Sequence, residues 1–254
     1  MRTISDFRTN AKLSIIFLLL LYRSLQANGP EIGFDAGNIV PMESQNIQLV
    51  REVVIAQIPF EGLEPRVYCE YTLCNISDQD VTFTMGFVTG PSNEDQLQQY
   101  HDANIRVSQG RIHLAVSFAP VDRAKWQQLG ISVPDSMPIW EISIPAHDTT
   151  ALTITYKGAW SGGGEGGRRS MAFGYHALTA RLWSGPIEYA RITFVLGGLN
   201  ANLLRCRASE NSGVKVAINP SGYEWYSYGL KWEFSNWEPT ENFQFMMHWY
   251  EGEE

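Results

Sequence analysis

The chain has 254 residues, 44% hydrophobic and 18% charged, with a formal net charge of −8. That apolar content supports a packed core and argues against global disorder, while the acidic balance argues against a phosphate-backbone partner, so no nucleic acid is expected. The three cysteines are too few, and odd in number, for a disulfide scaffold.

The first element is residues 13–21, LSIIFLLLL, preceded by Arg2, Arg8 and Lys12 and followed by Arg23, Ser24, Leu25, Gln26 and Ala27. A basic start, a short apolar run and a small residue at a cleavable position predict a secretory signal peptide over 1–27. The run falls short of the ~20 apolar residues of a membrane span. If retained, it would serve only as a crude N-terminal anchor. Its loss removes four bases and Asp6, leaving 15 basic against 26 acidic side chains and a net charge of −11. No second long apolar run follows, so a secreted or periplasmic protein without a membrane span is expected.

Beyond the leader, period-2 alternation dominates and predicts half-buried strands. Val67, Cys69, Tyr71 and Leu73 alternate with Tyr68, Glu70 and Thr72; Val81, Phe83, Met85 and Phe87 form the next apolar series. Residues 75–80 supply a turn between them. Residues 92–102 are polar throughout and read as a surface loop or a weak helix. One strand is predicted over 112–118, and one short helix over 122–129, with Asp122 as N-cap and Gly130 as stop. Further strands are predicted at 140–144, 152–156, 192–196, 230–234 and 243–249. The glycine-rich stretch 161–170, with Arg168 and Arg169, reads as a domain junction or a long hairpin tip.

The expected fold is therefore all-β, built of antiparallel β-sandwiches of immunoglobulin-like or jelly-roll-like type with one short helix. Two blocks, 28–160 and 171–254, are the simplest division, and a single larger sandwich is the alternative.

Local catalytic signatures are scarce. Gly162, Gly164 and Gly167 match G-x-G-x-x-G in letters only, because a dinucleotide site needs that motif between a strand and a helix. His101, His113, His147, His176 and His248 show no HxH or HExxH spacing, and no CxxC pair exists. No G-x-S-x-G elbow is present. No catalytic residue, cofactor or metal is expected on these grounds. Cys69 and Cys74 share one extended run and stand ~16 Å apart, beyond the ~6 Å that a disulfide tolerates between α-carbons. If a bridge forms, Cys206 is one end; the other reading is that the thiols stay reduced. Asn75-Ile76-Ser77 is a glycosylation sequon by letters.

The aromatic residues near the end are the most suggestive feature. Trp232 shares an apolar face with Leu230 and Phe234, and Trp249 with Phe245 and Met247, which predicts burial of both. Trp225, Tyr226 and Tyr228 follow Ser221-Gly222 and are the candidate ligand-binding trio, since flat exposed aromatics stack on sugars and favour interfaces.

A set of short motifs runs through most of the mature chain. These are residues 38–49 leading into Glu52, then Met85-Gly86-Phe87, Tyr156-Lys157-Gly158, residues 182–187, Trp232-Glu233-Phe234 and residues 237–242. In these the chain resembles the exported bacterial β proteins grouped as a DUF4424-like family. The resemblance implies an envelope-facing or secreted β protein and transfers no catalytic residue.

Together these features predict an exported, non-enzymatic module that binds a protein or carbohydrate partner of the cell envelope or outside the cell. An envelope-polysaccharide hydrolase would instead need two facing carboxylates in a cleft, one with a raised pKa. A structural assembly subunit would need an open apolar strand edge.

Overall fold

The computed structural model describes residues 37–42, 46–59, 64–88, 103–122, 126, 136–158, 161–165, 168–197 and 215–250. The leader, Cys206 and the loop 92–102 lie outside these residues, as does most of the helix expected at 122–129. Among the described residues the chain forms sixteen strands and one short 3-10 helix. In chain order they are β1 Asn38–Pro41, β2 Ile47–Pro59, β3 Arg66–Asn75, β4 Val81–Val88, β5 Arg106–Gln109, β6 Ile112–Leu114, β7 Ser117–Pro120 and β8 Ser136–Ile144. Then come β9 Thr149–Lys157, β10 Ser161–Glu165, β11 Arg168–Tyr175, the 3-10 helix Ala177–Leu182, β12 Ile187–Gly197, β13 Lys215–Asn219, β14 Glu224–Tyr226, β15 Gly229–Trp237 and β16 Phe243–Tyr250.

The protein is all-β. One eight-stranded sheet runs β14-β15-β12-β2-β3-β9-β5-β6, and two four-stranded sheets run β1-β4-β8-β7 and β10-β11-β16-β13. All pairings are antiparallel except β12 with β2, which is parallel from Tyr189↔Arg51 to Gly197↔Pro59. Both small sheets share one core with the large one. The first meets it through Phe87 against Tyr156, ring centres 5.0 Å apart. The second meets it through Phe173 against Phe194 at 5.4 Å and Phe243 against Trp232 at 4.9 Å. Each buried aromatic of this kind contributes about 1.5–3 kcal/mol.

The strands before and after residue 160 keep mainly to their own halves, but β2 and β12 fuse those halves into one sheet. The two expected blocks therefore share their largest sheet, and Gly33–Glu254 is a single compact unit. The glycine-rich stretch is no open loop: β10 and β11 pair from Ser161↔Ala172 to Glu165↔Arg168, the hairpin form of the expectation. A strand follows it rather than a helix, which removes the dinucleotide reading.

One predicted strand is corrected. Residues 112–118 alternate as a single strand, yet β6 joins the large sheet and β7 the first small sheet. Ala115 and Val116 carry the chain between them. Leu114 of β6 and Val116 of the connector pack against the core, which carries the alternation across the break although the backbone partners differ. The 3-10 helix was not expected; its Ala177, Thr179 and Ala180 are buried.

Asn75, the sequon residue, is buried at the end of β3. Its Nδ2 donates to the carbonyls of Gln79 (2.7 Å), Ile144 (3.1 Å) and Pro145 (3.1 Å), and its Oδ1 accepts from the backbone N–H of Ser77 (3.0 Å) and from its Oγ (2.7 Å). The nitrogen that a glycan would modify is thus held inside a turn. Asn75→Ala strands these partners and is expected to destabilise the protein by about 2–3 kcal/mol, read as a lower urea midpoint. An unchanged midpoint would show that the turn closes without it.

Candidate functional site

The structure does not bring the aromatic trio to one face. Residues in a strand alternate sides, so Trp225 and Tyr226 point opposite ways. Trp225 pairs with buried Leu230 and packs on Tyr223, ring centres 5.9 Å apart, on the core side. Tyr226 pairs with Gly229 and takes the outward side of the large sheet. Tyr228 sits in the turn of the β14–β15 hairpin and is 71% exposed. The hairpin hugs β12: a Cβ on Gly229 would stand 1.9 Å from the Phe194 carbonyl oxygen, so only glycine fits this approach.

The outward face of the large sheet is the broader candidate. Cross-strand register sets its side chains in rows. One row passes from Tyr226 and Gly229 through Val195 and Gln57 to Arg66 and Lys157. The next passes from Lys231 through Thr193, Ile55, Tyr68 and Thr155 to Arg106. Ion pairs knit the face at two places. Arg51 pairs with Glu70 and lies 5.7 Å from the centre of the Tyr189 ring. Lys231 holds Glu224 at 3.2 Å and Glu233 at 3.0 Å, and Tyr189 Oη donates to Glu233 at 3.2 Å. Hydrogen bonds to Glu233 and Glu224 push the Lys231 ammonium above the usual lysine range, and the bond from Lys231 holds the Glu233 carboxyl below the usual carboxylate range.

Where β2, β3, β9 and β5 run side by side, this face opens into a concavity of about 410 Å³. Gln57, Arg66, Tyr68, Arg106, Thr155 and Lys157 line it. Lys157 Nζ binds Glu64 at 2.8 Å. Burial and the nearby Glu70 carboxylate, which accepts from Tyr68 Oη at 3.2 Å, raise the Tyr68 phenol above its ordinary value. None of these residues stood out in the sequence. Tyr68 was legible in an outward series with Glu70 and Thr72, but Arg106, Thr155 and Lys157 reach it from strands far along the chain, paired through the β3–β9–β5 register.

A second cluster lies in the core. Glu52 of β2 is fully buried where the three sheets meet. Its Oε1 accepts from Asn38 Nδ2 of β1 at 3.0 Å and from Tyr175 Oη of β11. Tyr175 Oη lies 3.4 Å from Tyr71 Oη of β3. Among the described residues, Glu52 Oε2 has no hydrogen-bond partner. Burial drives the carboxyl up to about 7, and the two donors only partly offset it. Burial likewise raises the Tyr71 and Tyr175 phenols well above their ordinary value and the Cys69 thiol to about 12. Cys69 and Cys74 are both free thiols, and Cys69 is buried.

His113 is exposed on β6 beside Ser108 Oγ (2.9 Å), and His147 is exposed 2.8 Å from Asp78. His176 is buried, which lowers it to about 4. Among the described residues, no three His, Cys, Asp or Glu side chains are grouped to hold a metal, and no helix is long and apolar enough to cross a membrane.

The fold is similar to that of a crystal structure described as a "putative nutrient binding protein" from Legionella pneumophila. The two share 15% sequence identity with a TM-score of 0.63, over 87% of this chain and 72% of that one. Yeast LTA4 hydrolase aligns at 8% identity and a TM-score of 0.39, over 80% of this chain and 29% of that one, a likeness that carries no argument. At 15% identity the first likeness shows a shared fold. No family model and no curated protein matches the chain.

Proposed function

We propose that this chain is an exported, non-enzymatic β module that binds a protein or carbohydrate partner in the cell envelope or outside the cell. The outward face of the large sheet is the contact surface in this reading. The observation that carries it is the concavity of about 410 Å³ on that face, which falls within the ~300–1,000 Å³ of small-ligand sites. Export rests on the leader-like residues 1–27 and on the resemblance to the DUF4424-like proteins. The description of the similar Legionella fold as nutrient binding is in keeping with a binding role. The hydrolase reading asks for a cleft with two facing carboxylates, whereas the raised carboxyl here, Glu52, is buried in the core.

The test is retention on a glycan panel and on envelope fractions, with the wild type beside Tyr68→Ala/Gln57→Ala and Tyr226→Ala/Tyr228→Ala variants. Loss of a specific ligand in the first variant, with the melting temperature held, is the outcome expected. Retention unchanged in both variants would move the binding surface off this face.

A further inference from the structure

We propose that the concavity at Arg66, Arg106 and Lys157 takes an acidic saccharide, its anionic group gripped by the arginines and its ring laid against Tyr68. This deepens the reading above and rests on it. The first support is the placement of charge. The mature chain is strongly acidic, yet three cations from three neighbouring strands face one hollow. Arg66 stands directly opposite Lys157 in the β3–β9 register, and Arg106 stands opposite Thr155, one outward position short of Lys157. Like charges facing each other across a ladder destabilise a sheet, so this arrangement carries a cost unless an anion relieves it.

The protein relieves only part of it. Glu64 neutralises Lys157. Glu70, the carboxylate closest along β3, is engaged by Arg51 and Tyr68. Among the described residues, neither Arg66 nor Arg106 is ion-paired. Both are exposed. Their planar forks match the two oxygens of a carboxylate, or those of a phosphate, better than a lysine ammonium does. The negative net charge does not forbid such a ligand, because at physiological salt its field is screened beyond ~8 Å and the local cations govern capture.

The second support is the rest of the lining, which suits a sugar better than a bare ion. Tyr68 is 37% exposed and its hydroxyl is tied to Glu70, so the ring presents a fixed surface to the hollow. A ring that is apolar in the middle and polar at the tip suits a pyranose face. Gln57, Asn104 and Thr155 add amide and hydroxyl groups around it. Asn104 is held at φ 50°, in the left-handed region, at the rim between Ala103 and β5. The Ala103 carbonyl accepts the Lys157 N–H at 2.8 Å, which fixes this rim to the end of β9.

The experiment uses the full chain and calorimetry with digalacturonate, with the neutral disaccharide galactobiose, and with inorganic phosphate. The comparison protein is Arg66→Gln/Arg106→Gln, whose exposed substitutions leave folding intact and are checked by melting. The expected result is digalacturonate binding that weakens at least about tenfold in the variant and falls with added salt, with galactobiose and phosphate far weaker. Equal binding of galactobiose and digalacturonate, unaffected by the substitutions, overturns this inference and leaves the binding-face reading standing. Phosphate binding as tight as digalacturonate overturns the saccharide and leaves a plain anion site. Capture of a specific envelope protein on this face, with no saccharide bound, also overturns the inference while sparing the wider reading. No binding of any of these, together with unchanged retention in the face variants, overturns both.

Discussion

Trp232→Ala is expected to lower stability by about 4 kcal/mol. Trp232 is 1% exposed on the inner face of β15. Its ring centre lies 4.9 Å from Phe243, 5.4 Å from Phe194 and 6.0 Å from Tyr223, all in edge-on geometry. Phe243 belongs to the second small sheet, Phe194 to the neighbouring strand of the large sheet and Tyr223 to the segment leading into β14. One side chain thus ties three parts of the second half together. Its indole N–H also donates to the Pro220 carbonyl at 3.0 Å, a bond that alanine leaves open. Urea unfolding checks the magnitude, and Trp232→Phe separates the two contributions. The phenylalanine variant keeps most of the ring burial and is expected to lose about 1–2 kcal/mol. A loss under 1 kcal/mol for Trp232→Ala would mean that the neighbouring rings collapse into the space.

Glu52→Gln is expected to match the wild type in stability near pH 4 and to exceed it by about 3 kcal/mol above pH 7. The sign follows from proton binding. In the unfolded chain the Glu52 carboxyl ionises at 4.5, whereas burial raises it to about 7 in the folded protein. Between those values the folded state holds the proton more tightly, so the stability it contributes is fully present below 4.5 and is lost as pH rises through about 7. Glutamine imitates the protonated carboxyl: its carbonyl oxygen still accepts from Asn38 and Tyr175, and it never ionises. His176 has the opposite slope. Burial lowers it from 6.5 to about 4, so its contribution is present above 6.5 and lost as pH falls through 4. Both proteins carry His176, and it cancels in their difference. Urea unfolding of the two proteins from pH 4 to pH 8.5 makes the comparison. A difference that stays flat with pH would show that Glu52 is not the group whose ionisation is opposed by the core.

Glu52 illustrates why a polar group persists in such a place. The large sheet is covered by two small sheets that come from different halves of the chain. Glu52 of the large sheet accepts from Asn38 of the first and from Tyr175 of the second. An apolar residue would pack there without selecting a partner, whereas a buried acceptor accepts only the arrangement that brings both donors to it.

The long half-buried strands β3, β4, β8, β9, β12, β15 and β16 were legible in the sequence. Where one face is buried and the other wet, as along Val67–Leu73 or Leu152–Tyr156, alternation marks both the strand and its inner side. The burial of Trp232 followed from the same rule. β2 escaped it because a register shift between Leu49 and Arg51 breaks the alternation, and because Val53 and Val54 are both buried. The short edge strands β13 and β14 offered too few residues to count. Trp225, Tyr226 and Tyr228 were marked by composition, which carries no direction; the pleat then sent Trp225 and Tyr226 to opposite faces.

The sequence by itself determined that the chain is all-β, which side of its long half-buried strands faces the core and that Cys69 and Cys74 do not bridge to each other, because these follow from neighbours within a few residues. Only the tertiary structure decided that the two halves fuse through a parallel β2–β12 pair, that Glu52 meets Asn38 and Tyr175, and that Arg66, Arg106 and Lys157 open onto one hollow. Those facts depend on which distant strands lie side by side, and pairing of that kind is selected by the packing of the whole core rather than by any local stretch of chain.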